Sequence, residues 1–218
     1  MQNRAEAVQP VGGYEILERL DVDPERFRRQ VAFLLEVDKL KNVLRQTILT
    51  DYSRRENSAE HSWHIALSIL VFSEYAEERG LDLFRVMKML LVHDLVEIDA
   101  GDTYCYDAVG REDQSEREQQ AAERIFGLLP DDQASVFGQL WQEYEDKATP
   151  EAKFAHALDR FQPFLHNYVT QGKSWRQHGV RSQQVEGRMR PVEKGAPVLW
   201  NYVAELIDDA VAKGYLGK

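Results

Sequence analysis

The chain has 218 residues, 43% hydrophobic and 29% charged, enough for one sizeable globular domain and unlike a disordered chain. Its formal net charge of −10 argues against a general nucleic-acid binder, whose surface is basic, although a metal ion can still make a small anionic substrate welcome locally. The single cysteine, Cys105, excludes an intrachain disulfide and suits a reducing compartment.

Met1 to Gly13 lacks the apolar centre of a signal peptide. The apolar stretch Ile65 to Phe72 is too short to cross a bilayer. The expectation is a cytoplasmic protein with no membrane partner. Residues 1–22 read as a lead-in with a short helix over 14–20. Asp23-Pro24 is a helix start, an acidic cap followed by proline at the first helical position. Phe27, Val31, Leu34, Leu35, Leu40, Val43 and Leu44 then follow a mostly helical period, which predicts a helix to about residue 46. A polar connection over 47–57 leads to a helix capped by Ser58, with His61 at its third position. This helix runs to about Arg79 and is apolar on most sides, which predicts a central, buried element with Trp63 in the core. Gly80 ends it.

Asp82 opens a helix to about Ile98, followed by a loop over 99–111. Further helices are predicted over 113–128, 130–147 and 149–169, the last kinked at Pro163. Short helices near 174–178 and 182–190 precede a final helix over 196–212. No stretch alternates like a strand. The expected fold class is all-α, a single helical bundle, with a core over 23–172 and a C-terminal helical extension over 173–218 packed on the same domain.

The chemistry concentrates in Leu90-Leu91-Val92-His93-Asp94-Leu95-Val96-Glu97-Ile98-Asp99-Ala100-Gly101-Asp102. On a helix, Val86, Leu90, His93 and Glu97 share one face. An imidazole and a carboxylate on a core-facing surface are costly unless paired or bound to a metal. Glu97 and Asp102 also sit at a helix C-terminus, where the macrodipole opposes acids. If the helices over 58–79 and 82–98 pack antiparallel, His61 lies near His93 and Asp94. Asp159, about 100° from the stripe of Phe154, Leu158, Phe161 and Leu165, borders the core. Two imidazoles and two carboxylates suit Mn, Co, Mg, Zn, Ni or Fe, and ligand type alone does not choose among them.

The order Glu60-His61, His93-Asp94, Asp159 resembles the H…HD…D skeleton of the HD-domain superfamily. Three longer pieces are similar to the HD-domain 5'-deoxynucleotidases. These are Glu56-Asn57-Ser58-Ala59-Glu60-His61-Ser62-Trp63, His93-Asp94-Leu95-Val96-Glu97 with Gly101-Asp102, and Glu151-Ala152-Lys153-Phe154 leading to Leu158-Asp159. The similarity covers roughly residues 30–170. It implies an HD-domain helical bundle in which His61, His93, Asp94 and Asp159 bind a divalent ion. It also implies that Glu97 is the catalytic carboxylate and that Asp102 contacts substrate or a second ion. Asp94, whose loss should abolish turnover, counts with Glu97 in the catalytic set.

The implied activity is metal-dependent release of phosphate from nucleoside 5'-monophosphates. Arg54, Arg55 and Lys153 are candidates to hold phosphate oxygens, and Arg45 to reach the leaving group. The family selects deoxyribose with an Arg-Trp pair, whereas Asn42-Val43-Leu44-Arg45-Gln46-Thr47 carries the arginine alone. His64 reads as a packed or outer-shell histidine, with His156 similar. His166 shares the Asp159 face, and His178 is a candidate to fold over the site on composition alone. Cys105 lacks an identifiable activating base. A homodimer is expected, as helical relatives often dimerise. Two competing readings of the same skeleton are a non-catalytic or signalling HD-fold binding module and a di-iron HD-fold oxygenase.

Overall fold

The computed structural model describes Leu17, residues 21–107 and residues 109–218. Apart from Leu17, the short helix expected over 14–20 lies outside the described residues. Asp23 caps helix α1 (Pro24–Val37), accepting from the backbone N–H groups of Glu25 and Arg26 at 2.9 and 3.2 Å. α1 stops well short of residue 46. A 3-10 turn over Asp38–Asn42 leads into strand β1 (Leu44–Ile48), which pairs antiparallel with β2 (Arg55–Asn57). This hairpin corrects the expectations of a helix to residue 46 and of a chain without strands. Val43 and Leu44 happen to fit a helical stripe, and spacing cannot separate the two states over so short a run. The β-branched pair Thr47-Ile48 favours the extended backbone.

Helix α2 (Ser58–Phe72) is capped one residue earlier than expected. Asn57 accepts from the Glu60 N–H at 2.9 Å, and the Glu60 carboxylate accepts from the Asn57 N–H at 3.2 Å. This reciprocal capping box satisfies two otherwise orphaned donors and leaves the Ser58 hydroxyl free for the site. α2 ends at Phe72 in a short 3-10 turn over Ser73–Tyr75, not at Arg79. It buries one face, including Ser58, His61, Ser62, Ile65 and Ile69. Trp63 and Leu70 are 63% and 68% exposed, so α2 is half-buried and Trp63 is not a core residue.

Helix α3 (Leu83–Val92), capped by Asp82, packs on α2. After Val92 the chain tightens into a 3-10 turn over His93–Val96, then makes one α-helical turn, α4 (Glu97–Ala100), before Gly101 at φ 75°. A change of helical pitch at this point is common where side chains must be re-aimed for function. The remaining helices are α5 (Gln114–Phe126), α6 (Asp131–Asp146), α7 (Pro150–Val169), α8 (Lys173–Gln177), α9 (Ser182–Met189) and α10 (Pro197–Ala212).

Two apolar cores fix these elements. The larger joins Ile65, Ile69, Met89, Leu90, Phe154, Leu158 and Phe161 to Trp175, Val185 and Val203. The smaller joins Phe33, Val92, Leu95, Val96, Ile125, Phe126 and Trp141. Burying each large apolar side chain contributes about 1.5–3 kcal/mol. His93-Asp94 lies where the chain passes from the first core, at Leu90, to the second, at Val92 and Leu95. Packing on both sides therefore holds the dipeptide rigidly. The C-terminal segment docks on α7 at Gly195, where an added Cβ would lie 2.2 Å from the Lys153 carbonyl oxygen. Only glycine permits that approach.

Candidate metal centre and its cavity

The structure brings His61, His93, Asp94 and Asp159 together from α2, the 3-10 turn after α3, and α7. All four are buried. His61 Nε2 lies 3.0 Å from Asp159 Oδ1, and His93 Nε2 lies 3.0 Å from Asp94 Oδ1 and 3.8 Å from Asp159 Oδ1. The candidate ligand atoms of His61, His93 and Asp94 lie within 4.8 Å of one another.

The imidazole orientations fit a cation. His93 Nδ1 donates to the Leu90 carbonyl at 2.9 Å, which turns Nε2 toward Asp94 and Asp159. That buried nitrogen has no hydrogen-bond partner. A buried, orphaned nitrogen beside two carboxylates marks a place for positive charge. Two imidazole nitrogens and two carboxylates form a suitable donor set for a divalent metal. Burial opposes charge on His93, but the Asp94 and Asp159 carboxylates outweigh it and push the imidazole well up, so the pocket favours a positive charge at this position. Burial opposes ionisation of Asp159, but the neighbouring imidazoles of His61 and His93 outweigh it and hold the carboxyl well below the usual range. Burial likewise opposes ionisation of Asp94, and the neighbouring His93 and Arg45 charges lower it nonetheless.

Gln162, to which the sequence assigns no role, fixes His61. Its Oε1 accepts from His61 Nδ1 at 2.9 Å, leaving Nε2 to face Asp159. Its amide nitrogen donates to Glu56 Oε1 at 2.7 Å and lies 3.2 Å from both His64 Nδ1 and His166 Nε2. Three acceptors on that side and one imidazole N–H on the other set which way the amide points. An outer partner that selects the ligand tautomer in this way raises metal affinity. His64 and His166 thus belong to the layer behind the ligands.

Glu97 lies beside the ligands, and the Ser58 hydroxyl donates to its Oε2 at 2.6 Å. Burial, followed by the Asp94 charge, pushes the Glu97 carboxyl well above the usual range. Burial also raises that of Asp102. Arg45, delivered by β1, donates to Asp94 Oδ2 at 2.9 Å. Its burial disfavours charge, but Asp94, Glu97, Asp102 and Asp159 together keep it cationic. Arg45 therefore holds the outer oxygen of Asp94 and leaves Oδ1 for the centre.

A cavity of about 350 Å³ opens beside these groups, with His93, Asp94, Glu97, Asp102, Asp159 and Arg45 in its wall. That is ample for a small molecule. Arg54, Arg55 and Lys153 are not in the wall. Arg54 forms a surface ion pair with Glu60, Arg55 is exposed, and Lys153 lies on α7 where its carbonyl meets Gly195. Arg160 and Arg188 line the cavity instead. Adjacency to Asp159 was a usable signal for Arg160, whereas Arg188 lies in an Arg- and Gln-rich tail with no readable motif.

His156 lines the cavity but is committed to structure, with Nε2 donating to the Tyr144 carbonyl at 2.7 Å and its ring stacked on Tyr144. His178 packs against Tyr104, a wall residue, without itself lining the cavity. Burial pushes the Cys105 thiol up, the opposite of an activated nucleophile.

A family model described as HD domain matches residues 37–200. The 5'-deoxynucleotidase HDDC2 of Homo sapiens is 32% identical over 139 residues, 63% of this chain and 66% of that protein. The match thus spans slightly less than two thirds of that relative. The 5'-deoxynucleotidase hdd1 of Schizosaccharomyces pombe is 27% identical over 137 residues, 61% of this chain and 67% of that one. The crystal structure of a "predicted metal-dependent phosphohydrolase" from Magnetospirillum magnetotacticum MS-1 superposes with a TM-score of 0.85 at 51% identity, covering 89% of this chain and 97% of that one. A conserved hypothetical protein from Pyrococcus furiosus, at 20% identity and a TM-score of 0.57 over 84% of this chain and 99% of that one, shares the fold. A family match over most of the sequence, on a bundle that gathers the H…HD…D residues in one place, means that this chain belongs to the HD-domain family.

Proposed function

We propose that this protein is a divalent-metal-dependent phosphomonoester hydrolase that releases phosphate from nucleoside 5'-monophosphates. The observation that carries the reading is the buried cluster of His61, His93, Asp94 and Asp159, with an orphaned imidazole nitrogen, opening on a cavity beside Glu97. The names of the relatives, 5'-deoxynucleotidase and metal-dependent phosphohydrolase, support it. His61, His93, Asp94 and Asp159 would hold a divalent ion, which would supply Lewis acidity toward phosphate and toward water.

The chain's own groups do the rest. Arg45 holds Asp94 in place. Glu97, biased toward its protonated form and held by Ser58, is placed to give a proton to the departing alkoxide or to orient the attacking water. Asp102 borders the substrate or a second ion. The fold needs no protein nucleophile. Residues 23–172 form the functional core, with 173–218 closing it through Trp175, Val185 and Val203, which share the larger apolar core with Leu158.

The exposed stripe of Trp63, Leu67, Leu70 and Val71 on α2, each at least 44% exposed, supports a homodimer, because contiguous apolar surface marks association sites. Sedimentation as a monomer at micromolar concentration would remove that part. The acidic charge, the lone thiol and the lack of any helix among the described residues long and apolar enough to span a membrane support a cytoplasmic enzyme of small substrates. The decisive test is phosphate release across nucleoside monophosphates and general phosphomonoesters with several divalent ions. Turnover of the nucleoside monophosphates supports the reading and its absence from the whole panel refutes it. Iron content with O₂ uptake would favour the di-iron oxygenase instead, and a metal-loaded but inert protein the binding module.

A further inference from the structure

Arginine is usually paired in this acidic chain. Arg26 meets Asp132, Arg29 meets Asp131, Arg45 meets Asp94, Arg85 meets Glu143, and Arg124 meets both Asp99 and Glu36. Arg160 on α7 and Arg188 on α9 are the contrast. Both are partly buried and line the cavity beside Asp94 and Asp159. No side-chain hydrogen bond or ion pair holds either guanidinium among the described residues, and the buried Nε of Arg160 has no partner. With 37 acidic against 27 basic residues, carboxylates are plentiful, yet among the described residues none forms an ion pair with either guanidinium, and Asp159 acts on both only at longer range. Burial, then the Arg188 charge, also lowers the Arg160 pKa, so the two cations repel each other.

Two desolvated guanidiniums kept close and unpaired are costly unless an anion bridges them. Their position is equally informative. Arg160 and Arg188, with Arg111, also line an adjoining groove. His93, Asp94 and Asp159 line only the first cavity. The pair therefore stands at the junction between the metal-facing cavity and the outer groove.

We propose that Arg160 and Arg188 form a phosphate-binding fork at this junction, taking a phosphate oxyanion of the substrate. Two guanidinium forks match the charge and the oxygen geometry of a phosphate dianion better than those of a single carboxylate. The proposal rests on the hydrolase reading for its substrate and supplies the anion contacts that Arg54, Arg55 and Lys153 do not reach. The oxyanion has two sources, the reacting phosphate itself or a second phosphate carried toward the groove.

The test is calorimetric binding of orthophosphate and pyrophosphate to the metal-loaded protein, comparing wild type with Arg188→Gln, Arg160→Gln and Arg188→Lys. A charge-assisted hydrogen bond corresponds to roughly a tenfold to hundredfold change in affinity. Each Gln variant should weaken phosphate binding by about that factor at unchanged metal content and melting temperature, with Arg188→Lys intermediate. Arg188 sits on a short peripheral helix, so its variants keep the test valid if Arg160→Gln fails to fold. Unchanged phosphate affinity in a folded Arg188→Gln protein would overturn the fork.

Turnover separates the two sources. An equal rise in KM for a monophosphate and for a substrate with a second phosphate assigns the fork to the reacting group. A rise confined to the two-phosphate substrate assigns it to the second. Phosphate binding that depends on both arginines in a protein without turnover would uphold the fork and refute the hydrolase reading alone.

Discussion

Replacing Gln162 by leucine tests how the site is organised behind its ligands. The substitution keeps a buried side chain of similar size but removes the Oε1 that accepts from His61 Nδ1 and the N–H that donates to Glu56 Oε1, at 2.9 and 2.7 Å. Freed from that contact, the His61 ring is no longer held with Nε2 toward Asp159. Loss of such an outer partner lowers metal affinity by about 10–100-fold, which is about 1.4–2.8 kcal/mol. Fold stability should also fall by about 1–3 kcal/mol, because the buried Glu56 loses its hydrogen bond. The two effects are separable. Gln162→Glu keeps an acceptor for His61, so its metal affinity should stay near wild type. It also sets a carboxylate against Glu56, so its stability should fall at least as far as that of the leucine variant. The assay is competitive metal titration with a chromophoric chelator, beside urea melts. Kinetics should show kcat recovered at high metal concentration with little change in substrate KM. Equal metal affinity for wild type and Gln162→Leu would refute the assignment of Gln162 as the group that orients His61.

His156 should make stability pH-dependent. Burial holds it at about 3, against an ordinary 6.5, so the unfolded chain takes up a proton at a higher pH than the folded one. The contribution is fully present above pH 6.5 and is lost as pH falls toward 3. At pH 5 the loss is about 2 kcal/mol, from 1.36 kcal/mol per pH unit. His156→Phe retains the stack on Tyr144, whose carbonyl still accepts from the Lys147 N–H, and should show a flatter decline between pH 7 and pH 5 in urea melts. Identical slopes would contradict the buried-neutral histidine. Gly195→Ala places a Cβ 2.2 Å from the Lys153 carbonyl oxygen and 2.6 Å from its carbon. Both are backbone atoms that cannot step aside, so a loss of about 1–3 kcal/mol is expected, visible as a lower melting temperature. A melting temperature equal to wild type would show that the C-terminal segment is not docked on α7 as described.

The long helices were legible because their apolar spacing and start signals coincide, as at Asp23-Pro24, Asp82 and Thr149-Pro150. The approach of His61 to His93-Asp94 was legible from the short link between their helices, and Asp159 joined them only through the resemblance of its Glu151-Ala152-Lys153-Phe154 motif. His93 and Glu97 share a core-facing stripe and Asp159 borders one, where an unpaired imidazole or carboxylate would be costly. The hairpin was not legible, because β1 is short and begins with residues that also complete a helical stripe. Its partner Arg55–Asn57 shows no alternation of its own, so the pairing arises only from tertiary contact. That omission also hid how Arg45 reaches Asp94, as a strand residue and not a helical one. The cap at Asn57 went to Ser58 because both are good N-caps, and only the reciprocal bond from Glu60 separates them. Gln162, Arg160 and Arg188 escaped because polar residues on a helix usually face solvent, and nothing local marks the ones that face a cavity.

Metal-dependent phosphate release by wild type and Asp94→Ala, measured beside metal content, asks whether this buried cluster is a catalytic metal site. Asp94 touches both the candidate centre, through Oδ1 near His93, and the cation that anchors it, through Oδ2 on Arg45. Wild type should bind a divalent ion tightly, lose turnover of nucleoside 5'-monophosphates when it is chelated, and regain turnover on its return. Asp94→Ala should remain folded, bind the ion poorly and release no phosphate at any metal concentration. A folded Asp94→Ala protein with wild-type metal content and full metal-dependent hydrolysis would contradict the account.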